Sequence, residues 1–317
     1  MQRYKEFPEW DILIWATALV RYKFFGYTLK LYCLESDFEF LKKWHLYDLY
    51  DIIDTELLKD NEQLNKIDNK RFWSSRKIEA MYHELFDLNE EAIYVDIDIL
   101  MRQPFDISNC DALLWSPEPR NIVKDQYGNT DWTQTIYLPW RYISKPNNYK
   151  MPEYILNTAD AYNCGVWYFK NKEVFKEYRK QYYDFAINNP CEIKHMDQSI
   201  VNNEVFACNC EQRIIKAVLT YYHQNVKTVM PHKATGLCNE GYHFFWYRAN
   251  WRLGNKNPSV LAPEALQILN GAVMDCVMTL KTCRPDLYQF FFSSEYLKNF
   301  ETRYTLDPKH QPLKKYQ

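Results

Sequence analysis

Two aspartates one residue apart, Asp96 and Asp98 in Tyr94-Val95-Asp96-Ile97-Asp98, are the residues whose type and spacing point most directly to chemistry. On a strand, residues two apart share a face, so both carboxylates would lie together while Ile93, Val95, Ile97 and Ile99 fill the opposite side. Neighbouring carboxylates repel, and a divalent cation removes that penalty. Oxygen donors that leave positions open for phosphate and water suit Mn²⁺ or Mg²⁺. Ligands of open α/β sheets gather at the carboxyl ends of the strands, where this pair would sit. A solvated pair of acids at a strand end is the structural alternative. The setting, a helix, a turn, a hydrophobic strand and then Arg102-Gln103-Pro104-Phe105, favours the metal.

Several elements must position that pair. Trp10 to Phe25 has apolar residues at a helical period and is stopped by Gly26. Leu29 to Leu34 reads as a strand, Phe38 to Trp44 as a short helix, and Leu49 to Ile53 as a short strand ending at Asp54. Ser74 or Ser75 can cap a helix whose Ile78, Met81, Tyr82, Leu85 and Phe86 form one packing face. Ala92 to Leu100 is the strongest strand signal in the chain. Leu113-Leu114-Trp115 and Asn163 to Phe169 follow as strands, Val174 to Ile187 and 211–222 as helices, and Val226 to Met230 as a strand. This alternation predicts an α/β domain with a largely parallel sheet. Lys124 to Lys150 is polar with interspersed aromatics, the composition of a functional loop, and the chain turns helical from Pro263.

Bulk composition narrows the function class. With 317 residues the chain can bury a sizeable core, and 47% hydrophobic and 25% charged residues are ordinary for a globular protein. A net charge of −2 argues against a large grip on nucleic acid. No run of apolar residues is long enough to span a bilayer, and the N-terminal apolar stretch reads as a helix rather than a signal peptide. Nine scattered cysteines fit reduced thiols in the cytosol, and Cys208, Cys210, His223 and Cys238 match no standard zinc spacing. The expected location is cytoplasmic, with peripheral attachment at the inner face of a membrane left open by the aromatic C-terminal helices. The 17% aromatic content suits a cleft that grips sugars and a base, or simply reflects compositional drift.

Further motifs succeed one another along residues 71–203: Arg76-Lys77 on the helix before the Asp96/Asp98 strand, Asn163-Cys164-Gly165 after it, and Asp197-Gln198 in His195-Met196-Asp197-Gln198-Ser199. In this order the chain resembles the GT-A glycosyltransferases with a D-x-D strand, and is similar to the family-8 and family-32 sugar transferases of bacterial capsule and lipopolysaccharide synthesis. The resemblance implies a Rossmann-like GT-A domain over residues 1–260, its mostly parallel central sheet flanked by helices, and a helical extension over 261–317. It implies a metal-dependent, retaining transfer of a sugar from a nucleoside-diphosphate sugar to a saccharide, lipid-linked or other hydroxyl acceptor. Asp98 would ligate Mn²⁺ or Mg²⁺, and Asp96 would contact the metal or the donor's ribose. Arg76 or Lys77 would reach donor sugar or phosphate, and Asn163 and Gly165 would line the sugar pocket. Asp197 and Gln198 would bond sugar hydroxyls near the anomeric carbon, with Asp197 as a general base if the transfer inverts. Asp160 and Glu118 are further candidates for the same wall. A late histidine is the family's third metal ligand; His243 fills that part here, with His232 its rival, although the residues after His243 depart from the family's tight spacing. The family's sheet opens with a strand, whereas the first clear element here is a helix, so the expectation is that residues 1–8 are a remnant of that strand or that it is missing from the sequence.

For each motif a plainer structural account exists. Basic pairs on helices are usually solvated, and a strand kink or bulge accounts for Gly165 equally well. A sugar- or nucleotide-binding protein with a degenerate GT-A fold is the alternative function. A phosphoryl-transfer enzyme ranks last, because Asp96-Ile97-Asp98-Ile99-Leu100 lacks the hydroxyl or valine of such loops and seven glycines form no phosphate cradle.

Overall fold

The computed structural model describes residues 9–67, 72, 74–118, 150–158, 160–188, 209–230, 241–243 and 263–294. They form a mixed α/β structure in two compact units, each built from separated stretches of chain. The described residues of the first unit are 9–55, 96–105, 241–243 and 263–294; those of the second are 56–67, 72, 74–95, 106–118, 150–158, 160–188 and 209–230.

The first unit is organised by α1 (Glu9–Phe24). Every residue from Asp11 to Val20 is buried, so the helix is a core element rather than a surface one with a single apolar face. Thr17 is tolerated inside because its hydroxyl donates to the Leu13 carbonyl at 2.7 Å. The helix ends as its sequence predicts: Gly26 takes a φ of +87°, a conformation that costs glycine least. Strands β1 (Lys30–Tyr32) and β2 (Ile52–Asp54) pair in parallel, Lys30 opposite Ile52, with the short helix α2 (Phe38–Lys43) between them. Trp44, just after α2, stacks at 6.4 Å on Phe291 near the chain's end.

The second unit holds α3 (Glu62–Asn65), α4 (Ser75–Tyr82), β3 (Ile93–Val95) and, further on, β5 (Ala112–Glu118), α5 (Glu153–Leu156), β6 (Ala161–Phe169), α6 (Lys172–Asn188), α7 (Ile214–Tyr221) and β7 (Val226–Thr228). Its sheet runs β3-β6-β5-β7. Both neighbours of β6 are antiparallel to it, and only β5 and β7 pair in parallel. The mostly parallel sheet expected from the helix–strand alternation is therefore not what forms among the described residues. Alternation implies parallel neighbours only when successive strands lie side by side in one sense; here β6 inserts, reversed, between β3 and β5.

Aromatic side chains fill the second unit's core. Helix α6 buries Val174, Phe175, Tyr178, Tyr182 and Phe185 against β6, with Trp167 edge-on to Tyr178 at 5.7 Å and Phe169 to Phe175 at 5.0 Å. Each such ring contributes about 1.5–3 kcal/mol of burial. Much of the aromatic richness in this unit is thus core packing. Ser74 occupies the N-cap position of α4, as expected, but makes no side-chain cap; its hydroxyl shares a 2.7 Å hydrogen bond with the buried Tyr182 hydroxyl instead.

The first unit's remaining elements are β4 (Ile99–Met101), β8 (Gly241–His243), α8 (Pro263–Cys283) and α9 (Pro285–Phe292). The single strand expected over Ala92 to Leu100 is in fact two. Strand β3 joins the sheet of the second unit, whereas β4 pairs antiparallel with β8 in the first. The chain passes from one unit to the other between Val95 and Asp96.

Candidate metal and donor site

Asp96 and Asp98 lie in the tight turn that separates the two strands. The Ile99 amide donates to the Asp96 carbonyl at 3.2 Å, closing residues 96–99 into a loop. The shared strand face expected for the two carboxylates is thus replaced by turn geometry, to which the two-residue alternation does not apply. Asp98 is buried at 7% exposure, and Asp96 is half-buried. A carboxylate withdrawn from water to that degree requires compensation from neighbouring charge or hydrogen-bond donors.

Helix α1 supplies the wall beside this turn. The Tyr22 hydroxyl donates to the Ile99 carbonyl at 2.7 Å. Burial pushes the Tyr22 phenol well above its ordinary range, and the negative charge of Asp98 pushes it further the same way, a measure of how near that carboxylate lies. Arg21, the preceding residue, donates to the Met101 carbonyl at 3.1 Å and to the Thr279 hydroxyl at 2.9 Å. Its guanidinium lies 3.3 Å from Asp275, which also accepts from Arg102 at 3.0 Å.

On the other side, β8 brings the backbone of His243 opposite Ile99, one residue beyond Asp98. The register Ile99↔His243, Leu100↔Tyr242 and Met101↔Gly241 joins two segments that lie far apart in sequence. The His243 side chain lies outside what is described, as do His232, Asp197 and Gln198 and most of the loop expected over Lys124 to Lys150. Among the described residues no group of three or more His, Cys, Asp or Glu side chains is gathered as a metal site. The described donors within the turn are two carboxylates, one of them buried, oxygen ligands of the kind that Mn²⁺ or Mg²⁺ takes.

No protein-family model, no curated protein and no solved structure matches the chain. Among the described residues, no helix is long and apolar enough to cross a membrane.

The other sequence candidates fall in the second unit. Arg76 is exposed on the first turn of α4. Lys77 points into the core: its ammonium is 2.6 Å from Glu211, which is 1% exposed, and lies 5.1 Å and 5.2 Å from the ring centres of Tyr94 and Trp167. Those ring faces add a cation–π attraction to the ion pair. Asn163 and Gly165 sit in β6 where its pairing with β5 slips, since Leu114 opposes Trp167 but Ser116 opposes Asn163. The Asn163 side-chain carbonyl accepts from the Gly165 amide at 3.0 Å, bracing the irregularity from within. Asp160 is exposed just before β6, and the side chain of Glu118 lies outside the described set.

Tyr22, Arg21, Asp275 and Glu211 were not singled out by sequence reasoning. A tyrosine and an arginine on the last turn of a hydrophobic helix carry no signature of their own. Only the fold brings them to β4 and to Lys77.

Proposed function

We propose that this chain is a metal-dependent glycosyltransferase that moves a sugar from a nucleoside-diphosphate sugar to a saccharide or other hydroxyl acceptor. The observation that carries the reading is the Asp96–Ile99 turn: it buries Asp98 at 7% exposure, directly before a strand whose partner contains His243. Burying an acid costs free energy that neighbouring charge or hydrogen bonds must offset, and a bound cation is one source of such charge.

Asp98 would hold Mn²⁺ or Mg²⁺, with Asp96 as second donor or ribose contact and His243 as third ligand. The metal, when bound, supplies Lewis-acid neutralisation of the diphosphate leaving group. Arg76, exposed on α4, is free to meet phosphate or donor sugar in a way that the buried Lys77 is not. The role of Lys77 is accordingly the support of the α4 end rather than direct contact. Asn163 and Gly165 would shape the sugar pocket through the β6 irregularity, and Asp197 and Gln198 would orient the sugar hydroxyls in a retaining transfer.

The test is a thermal-shift screen of nucleotide-sugars with and without Mn²⁺, followed by donor hydrolysis with Asp98→Ala. A ligand at about a hundred times its Kd stabilises by about 2.7 kcal/mol, enough to reveal the donor class. Metal-dependent turnover lost in the variant supports the reading. Binding without turnover of any donor would move the protein to the sugar- or nucleotide-binding class, and no metal-dependent binding at all would remove both.

A further inference from the structure

We infer that Tyr22 and Arg21, held by Asp275 and Thr279, are positioning residues that set the conformation of the Asp96–Asp98 turn; as a statement about metal affinity, this rests on reading Asp98 as a metal ligand. Strand β4 has two edges. One is occupied by β8. Ile99 and Met101, two apart on a strand, send their carbonyls to a common edge. At that edge no strand pairs with β4 among the described residues; successive side chains of α1 take its place, Tyr22 donating to the Ile99 carbonyl at 2.7 Å and Arg21 to the Met101 carbonyl at 3.1 Å.

This arrangement reaches the turn through covalent connection. The Ile99 amide closes the turn on Asp96 and the Ile99 carbonyl is fixed by Tyr22, so both polar groups of the residue after Asp98 are committed. Moving the backbone of the turn out of place would break one of the two bonds. Arg21 is in turn oriented by Thr279 and Asp275 on α8, and Arg102 at the far end of β4 reaches the same Asp275 carboxylate at 3.0 Å. Asp275 therefore links the α1 clamp to the strand that follows the turn. Such outer residues tune a ligand without touching the ion, and their loss typically lowers metal affinity about 10–100-fold.

The experiment compares the full chain with Tyr22→Phe, Asp275→Asn and Trp15→Phe. The last removes a 2.8 Å bond from α1 to Tyr50 and neither of the bonds to the β4 carbonyls, and so reports on general loosening of the helix. Mn²⁺ affinity is read from the free-ion EPR signal, and amide exchange over residues 96–101 is followed without metal. Tyr22→Phe should raise the Mn²⁺ Kd about tenfold and speed exchange at Ile99, Asp275→Asn should act in the same direction to a smaller extent, and Trp15→Phe should leave both unchanged even where it lowers Tm. If the parent protein binds Mn²⁺ through Asp98 and Tyr22→Phe binds it equally well, the positioning role is overturned while the functional reading survives. If the parent shows no Asp98-dependent Mn²⁺ binding, the functional reading fails, and the clamp is then decided by exchange: unchanged protection in Tyr22→Phe overturns it as well.

Discussion

The two units use the same charged and phenolic side chains to opposite ends. In the second unit Lys77 and Glu211 are sealed among Tyr94, Trp167 and the aromatic face of α6, and Arg179 makes a two-pronged contact of 2.8 and 2.9 Å with the buried Glu79, tying α6 to α4. Here charge joins secondary-structure elements side chain to side chain. In the first unit Arg21 and Tyr22 direct their donors to backbone carbonyls of β4, the strand that follows the buried Asp98. A buried ion pair between elements is a structural fastening. Donors aimed at backbone carbonyls instead fix the path of a strand and of the turn before it.

The contrast can be broken most forcefully at Lys77. Removing one partner of a buried pair leaves the other charge unsatisfied, so Lys77→Ala should cost about 3–5 kcal/mol in denaturant unfolding. The double replacement Lys77→Met with Glu211→Leu should recover much of that loss, and failure to recover any would mean that the pair does more than fasten. Next comes Asp98→Asn, expected to reduce metal-dependent turnover by about a hundredfold or more, equivalent to about 2.7 kcal/mol of barrier, while leaving Tm within a few degrees. A collapse of Tm would put Asp98 in the same structural class as Glu211. Arg179→Met should then cost about 2 kcal/mol, the range of hydrogen bonds to charged groups, with no change in Mn²⁺ affinity.

The smallest effect belongs to an exposed pair in the first unit. Arg284 contacts Asp286 at 2.9 and 2.6 Å at the start of α9 and holds that carboxyl down at about 2. A depressed carboxyl contributes stability above its unfolded value of about 3.9 and loses it as pH falls through its folded value. Because the side chain is 62% exposed, solvent screening reduces the contribution to a few tenths of a kcal/mol. Thermal scans from about pH 5 to about pH 2 should therefore show the parent slightly above Asp286→Asn at the upper end and level with it at the lower.

Periodicity made α1, α2, α4, β5, β6, α6 and the C-terminal helices legible, because each carries its own apolar pattern and, at Gly26, its own stop signal. The identity of the carboxylate pair was legible for the same reason. Its setting was not. The run Ile93 to Leu100 is continuously apolar apart from the two acids, and nothing in it records that β3 finds β6 while β4 finds β8. Strand partnership is decided by segments far along the chain, so a change of sheet leaves no local trace. The same holds for Lys77, whose surroundings depend on Glu211, and for β6, whose reversed direction between β3 and β5 turned an expected parallel sheet into a mostly antiparallel one. The slip in β6 is half legible: a glycine inside a strand marks a kink or bulge, and the register shifts at that place.

The bond from Arg21 to Thr279 spans 258 residues. During synthesis at about 5–20 residues per second, the helix that begins the described chain waits roughly 13–50 s for the segment that completes its surroundings. Over that interval the side of α1 that packs on α8 has no partner, and the second unit, whose described residues end at 230, has emerged in full before the first can close. The second unit's segments are thus all synthesised before the last segment of the first, and a nascent chain stalled before Asp275 would lack the helix that orients Arg21.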